Sequence, residues 1–92
     1  MARVLASVKV YPSDSEADRG KLLDEIRKVL PEEYHILRAA EEPIAFGYVA
    51  LKLYITFPEE TEGGTDKLEE MLRSVNGVDD LEIESVSRLS SF

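Results

Sequence analysis

Few side chains in this sequence have the type and spacing that chemistry needs. Cysteine is absent, which excludes disulfides, thiolate metal sites and thiol catalysis. His35 is the one histidine, and a metal site needs further ligands beside it. Carboxylates are plentiful. However, Glu59, Glu60, Glu62, Asp79, Asp80, Glu82 and Glu84 lack the spacing of a hydrolytic pair and the glycine placement of a calcium loop. They read mostly as a solvated surface. Gly63-Gly64 opens a helix without the spacing or the lysine of a phosphate-binding loop. No nucleophile stands beside a base. The expectation is a protein that does no covalent chemistry itself and holds no metal or cofactor.

Two features remain as candidates for binding. The first is Pro43-Ile44-Ala45-Phe46-Gly47. Pro43 lacks an N–H and pushes Glu42 into an extended or turn conformation, while Gly47 frees the backbone for a tight turn. Regular structure is therefore not expected at the start of this stretch, and Ile44, Ala45 and Phe46 fall in an apolar loop. Phe46 either folds inward and plugs the end of the core, or faces out and anchors a partner. The second feature is Arg88. It is either a solvated charge on an edge strand or a cation shown to a partner.

The elements that position these residues follow from hydrophobic period. Val4, Ala6, Val8 and Val10 alternate with polar or outward residues, giving a strand over residues 3–11 that Pro12 ends. Ser13 to Glu16 offers a capping box, and Leu22, Leu23, Ile26, Val29 and Leu30 continue at helical spacing to Pro31. Gly20 inside that helix has no reason in the sequence. Residues 34–41 make a weaker strand, suited to an edge. Residues 47–57 alternate cleanly: Val49, Leu51, Leu53, Ile55 and Phe57 face one way, Tyr48, Ala50, Lys52, Tyr54 and Thr56 the other. Thr65 or Gly64 caps a second helix with Leu68, Met71, Leu72 and Val75 inward, and Asn76-Gly77 ends it in a left-handed turn. A last strand lies within residues 78–89, with Leu81, Ile83 and Ser85 inward and Glu82, Glu84, Val86 and Arg88 outward.

This order predicts an α+β, ferredoxin-like βαββαβ sandwich: a four-stranded antiparallel sheet with both helices on one face and Tyr48, Lys52 and Tyr54 on the other. Val4, Val8, Leu51, Leu53, Ile26, Leu72 and Ile83 are expected in one core. Phe46 and Arg88 fall at opposite ends of the sheet, roughly 26 Å apart for a strand of about eight residues. A partner touching both is large or has two domains. The 92 residues form a single domain, 1–92, with an ordinary apolar fraction of 43%. No apolar run approaches the roughly 20 residues of a membrane span, and the N-terminus does not read as a signal peptide. The net charge of −8 favours a basic protein over naked nucleic acid as partner.

Glu42-Pro43-Ile44-Ala45-Phe46-Gly47 resembles the signature of the elongation factor 1-beta family in its short archaeal form. The opening strand from Val4, the Glu62-Gly63-Gly64-Thr65 helix entry and the closing Ser87-Arg88-Leu89 agree with that family, in order and at similar spacing. The resemblance implies a cytoplasmic guanine nucleotide exchange factor for the GTPase elongation factor 1-alpha. It implies that the loop at Pro43, Ile44, Ala45, Phe46 and Gly47, and Leu89 at the other end, contact that partner. It also implies that Arg88, where eukaryotic relatives carry a lysine, disturbs the partner's magnesium and phosphate site. Ser90, Ser91 and Phe92 extend past the usual end of the family.

A second reading is an RNA-recognition module, which has the same element order. Residues 45–51 resemble its aromatic motif, and the open-face tyrosines could stack bases. Ile44 and Leu51 stand where that motif has a basic residue and an aromatic, and the first strand lacks a second aromatic platform. A third reading, a ligand-sensing regulatory domain of the same topology, has no sequence feature for or against it.

Overall fold

Apolar residues at every second position build β1 (Arg3–Pro12) and β3 (Tyr48–Pro58), which pair antiparallel as the two central strands of one sheet. In this computed structural model, which describes residues 2–13, 18–45, 47–61 and 63–89, β2 (His35–Ala45) and β4 (Val78–Leu89) add the edges. The order is β2-β3-β1-β4, with all pairs antiparallel. Two helices, α1 (Arg19–Val29) and α2 (Gly64–Arg73), complete the βαββαβ order of a ferredoxin-like α+β fold.

One core lies between sheet and helices. Val8, Val10, Leu51, Leu53, Ile55 and Phe57 from the sheet meet Leu22, Ile26, Leu68 and Leu72 from the helices, all buried. Val4 and Ile83 pack at its margin, so the expected core residues do gather in one cluster. Val29 is the exception on the helical stripe. It is exposed on the last turn of α1.

The helix starts differ from expectation. Asp18 caps α1, its Oδ1 accepting from the N–H of Gly20 at 2.9 Å and of Lys21 at 3.3 Å, an arrangement worth about 1 kcal/mol. The expected capping box from Ser13 to Glu16 extends outside the described residues. A Cβ at Gly20 would stand 3.2 Å from the capping oxygen, a tight contact that a small shift of the Asp18 side chain relieves, so the space there does not by itself require glycine. Gly63, not Gly64 or Thr65, caps α2, with φ of 84° and no side-chain bond. At the other end of α2, Gly77 takes the left-handed turn, with φ of 105°.

The edge strands carry two further corrections. β2 does not stop before Pro43; it continues through Pro43 and Ile44 to Ala45, with Pro43 opposite Val49. A proline is tolerated there because β2 is an edge and its register shifts between Pro43 and Ala45. In β4, Ser85 pairs with Ser7 but Ile83 with Val8, so Glu84 is an extra residue, a bulge. The bulge reverses the alternation beyond it. Ser85 pairs with open-face Ser7, while Val86 and Arg88 pair with Ala6 and Val4 of the inward set. Ser85 is thus not inward, and Val86 and Arg88 project on the helix side of the sheet, where both remain exposed.

Candidate functional site

The sheet separates two groups of candidate residues by its length. At one end, Arg88 pairs across β1 with Val4, and Leu89 with Arg3. The Arg88 side chain is 70% exposed, and its Nε lies 3.1 Å from Glu59 Oε2 in the turn after β3. The Glu59 backbone N–H donates to Ala2 at 3.2 Å, which ties that turn to the start of β1. Leu89 is half-buried beside it.

At the other end, β2 carries Pro43, Ile44 and Ala45 into solvent, and Gly47 turns the chain with φ of 71°. Phe46 lies outside the described residues. The Tyr48 hydroxyl donates to the Pro12 carbonyl at 2.8 Å, fixing the base of the hairpin to the end of β1. Burial, the nearby Asp79 carboxylate and Tyr11 push the Tyr48 hydroxyl pKa up, keeping it a donor. From Tyr48 to Phe57, the neighbour of Val4, the sheet runs about 30 Å. The expected roughly 26 Å assumed a strand of about eight residues, whereas Tyr48 and Phe57 stand nine residue steps apart on β3.

The open face carries Lys52 and Tyr54, the ammonium 5.8 Å from the ring centre. Its lysines are engaged by carboxylates. Lys9 lies 2.7 Å from Glu42 and 3.4 Å from Glu84, and Lys52 lies 3.5 Å from Glu84. Glu42 and then Glu84 raise the Lys9 pKa, and Glu84 first raises that of Lys52. A face whose cations are neutralised in this way gives phosphates little to bind, and it does not favour RNA recognition.

Several acidic residues expected as plain solvated surface have defined partners. Asp80 holds Arg73 at 3.1 Å, and Arg73 also bonds Glu69. Glu59 has Arg88, and Glu84 has the two lysines. Sequence reasoning missed these pairings. Only the shared face of Lys9 and Lys52 was readable, from alternation on their strands. His35 is exposed at the start of β2. Among the described residues no three His, Asp or Glu side chains gather as a ligand set, and no helix is long and apolar enough to cross a membrane.

The chain is thus a split βαβ sheet with exposed Pro43, Ile44 and Ala45 at one end and an exposed arginine at the other. The model of the EF-1 guanine nucleotide exchange domain matches residues 5–89, and the chain belongs to that family. In particular, it is similar along its whole length to elongation factor 1-beta of Hyperthermus butylicus, with 52% identity over 92 residues and all of both chains covered. Elongation factor 1-beta of Ignicoccus hospitalis is 49% identical over 98% of this chain and 96% of its own. That of Aeropyrum pernix is 49% identical over 97% and 99%. Among solved structures, the C-terminal domain of the MgtC protein from Mycobacterium tuberculosis matches with a TM-score of 0.53 and 13% identity, over 99% of this chain and 88% of that one. The last is a likeness of fold alone.

Proposed function

We propose that this chain, acting as a single exchange domain in the cytoplasm, speeds GDP release from elongation factor 1-alpha by acting on it at two places. Arg88 works at the nucleotide site. The tip formed by Pro43, Ile44, Ala45, Phe46 and Gly47 anchors a second domain of the partner, and Leu89 packs beside Arg88. The observation that carries this reading is the exposed guanidinium at the opposite end of the sheet from the apolar tip. A cation brought close to a bound Mg²⁺ repels it and offers itself to the carboxylates that hold it. The phosphates then lose their counter-ion and the nucleotide loosens. The chain itself makes and breaks no covalent bond.

Release of labelled GDP from elongation factor 1-alpha tests this. Arg88→Ala leaves partner binding largely intact and lowers the accelerated rate by about 10- to 100-fold, at or below the loss from removing one preorganised donor elsewhere. Arg88→Lys keeps much of the activity, because charge and not fork geometry is what the site uses. Excess Mg²⁺ opposes the wild-type effect, and chelation imitates part of it. If Arg88→Ala weakens binding at low salt but leaves exchange at saturating protein unchanged, the arginine only steers encounter and the reading is wrong.

A further inference from the structure

The open-face network takes one side chain from each strand: Glu42 of β2, Lys52 of β3, Lys9 of β1 and Glu84 of β4. Its shortest contact, Lys9 to Glu42 at 2.7 Å, joins strands that are not neighbours, since β3 lies between β1 and β2. Lys9 stands opposite Lys52 and Glu42 opposite Ala50, so the bridge crosses β3 between Lys52 and Ala50. A methyl group at Ala50 leaves that path open, and Ala50 is fully buried although it faces away from the helices. Glu42 Oε2 is shielded from solvent and has no other partner among the described residues. Glu84 approaches Lys9 from the opposite side because the β4 bulge leaves it on this face.

Glu42 immediately precedes the tip. β2 is an edge strand whose pairing shifts between Pro43 and Ala45, so its outer side gives the tip no support. The β3 arm of the hairpin is held by the Tyr48 hydroxyl on Pro12, and the β2 arm by Lys9 on Glu42. We propose that Lys9 is a positioning residue for partner binding: through Glu42 it fixes the direction in which β2 carries residues 43–47. Glu42 is then the inner anchor of the tip and not itself a contact with the GTPase. This rests on the reading that the tip binds elongation factor 1-alpha.

A double-mutant cycle between Lys9→Met and Phe46→Ala tests both readings, with affinity for elongation factor 1-alpha and GDP release at saturating protein as readouts. Lys9→Met weakens affinity about tenfold, within the range for coupled neighbours, and leaves the saturated release rate unchanged because the Arg88 end is intact. Lys9→Arg restores binding. In the Phe46→Ala background, Lys9→Met adds little. Glu42→Gln, which keeps the shape and loses the charge, weakens binding in the same direction and decides the matter by the same criteria if Lys9→Met does not fold. The proposal is overturned if Phe46→Ala weakens binding while Lys9→Met and Glu42→Gln do not. It is also overturned if the two losses simply add, because Lys9 would then act on the whole fold and not through the tip. If Phe46→Ala has no effect, it is the reading of the tip that fails.

Discussion

Arg3 and Arg88 stand at the same end of the sheet on neighbouring strands, yet they are committed differently. Arg3 donates to the Glu33 carbonyl at 3.0 Å and to Thr56 Oγ1 at 3.1 Å, so its guanidinium holds the fold together. Arg88 has one carboxylate, on an exposed side chain, and such pairs are worth about 0–1 kcal/mol. A partner can take Arg88 at little expense and cannot take Arg3. The two arginines look alike in the sequence, because contacts 53 and 29 residues away distinguish them. Tyr34 shows the same limit. It is 5% exposed, its ring lies 5.1 Å from that of Phe57, and its hydroxyl has no partner among the described residues. Leaving a buried hydroxyl unpaired costs about 1–3 kcal/mol. Tyr34→Phe is therefore expected to be neutral or to stabilise by about 1 kcal/mol, and Tyr34→Ala to destabilise by about 3–5 kcal/mol, both measured by urea unfolding.

Elements with a clean period were readable where one strand or helix decides its own pattern. Leu51, Leu53, Ile55 and Phe57 face the core as their alternation requires. The Glu84 bulge was not readable, because a bulge belongs to a pair of strands and leaves no mark on either alone. It reversed the facing of Val86 and Arg88. Pro43 misled for a related reason: it reads as a break, but an edge strand absorbs it. The α2 entry is a case where two adjacent glycines are not equivalent. At Gly63 a Cβ would stand 2.7 Å from Lys67 Cβ, whereas at Gly64, with φ of 49°, nothing lies within 4 Å. Gly64→Ala should cost about 1–2 kcal/mol for the left-handed backbone alone. Gly63→Ala should cost more, because the clash adds to the same backbone strain. Thermal unfolding of the two variants gives the comparison, and equal losses would mean the clash is relieved by a shift of α2.

The molecule as a whole carries a net charge of −8, and its ion pairs differ in how acid affects them. The ammonium of Lys9 holds the Glu42 carboxyl below its ordinary 4.5, and the Leu81 N–H, followed by Arg73, holds Asp80 below 3.8. A carboxyl depressed in the folded state adds stability above its unfolded value and loses it as pH falls through the folded one. Lys9 is raised above 10.5, so its contribution is complete below that value and lost only as pH rises through the higher folded one. These groups therefore give a plateau from about pH 5 to about pH 10, with an acid limb below. Lys9→Met should shorten the acid limb, because Glu42 then titrates nearer its ordinary value. Urea midpoints between about pH 2 and pH 7 measure it, and an unchanged limb would mean Asp80 and other carboxyls dominate.

β3 runs unbroken for 11 residues between the apolar tip and the strand ends beside Arg88, paired with β2 from Tyr48 to Thr56 and with β1 from Leu51 to Pro58. A body stiff along one direction is a gauge. Engaging it at both ends reports that two surfaces of another molecule stand one sheet-length apart, whatever lies between them. Selectivity of this kind comes from span and needs no contact with the nucleotide. Lengthening all four strands by two residues would keep every side chain at both ends and still abolish the fit.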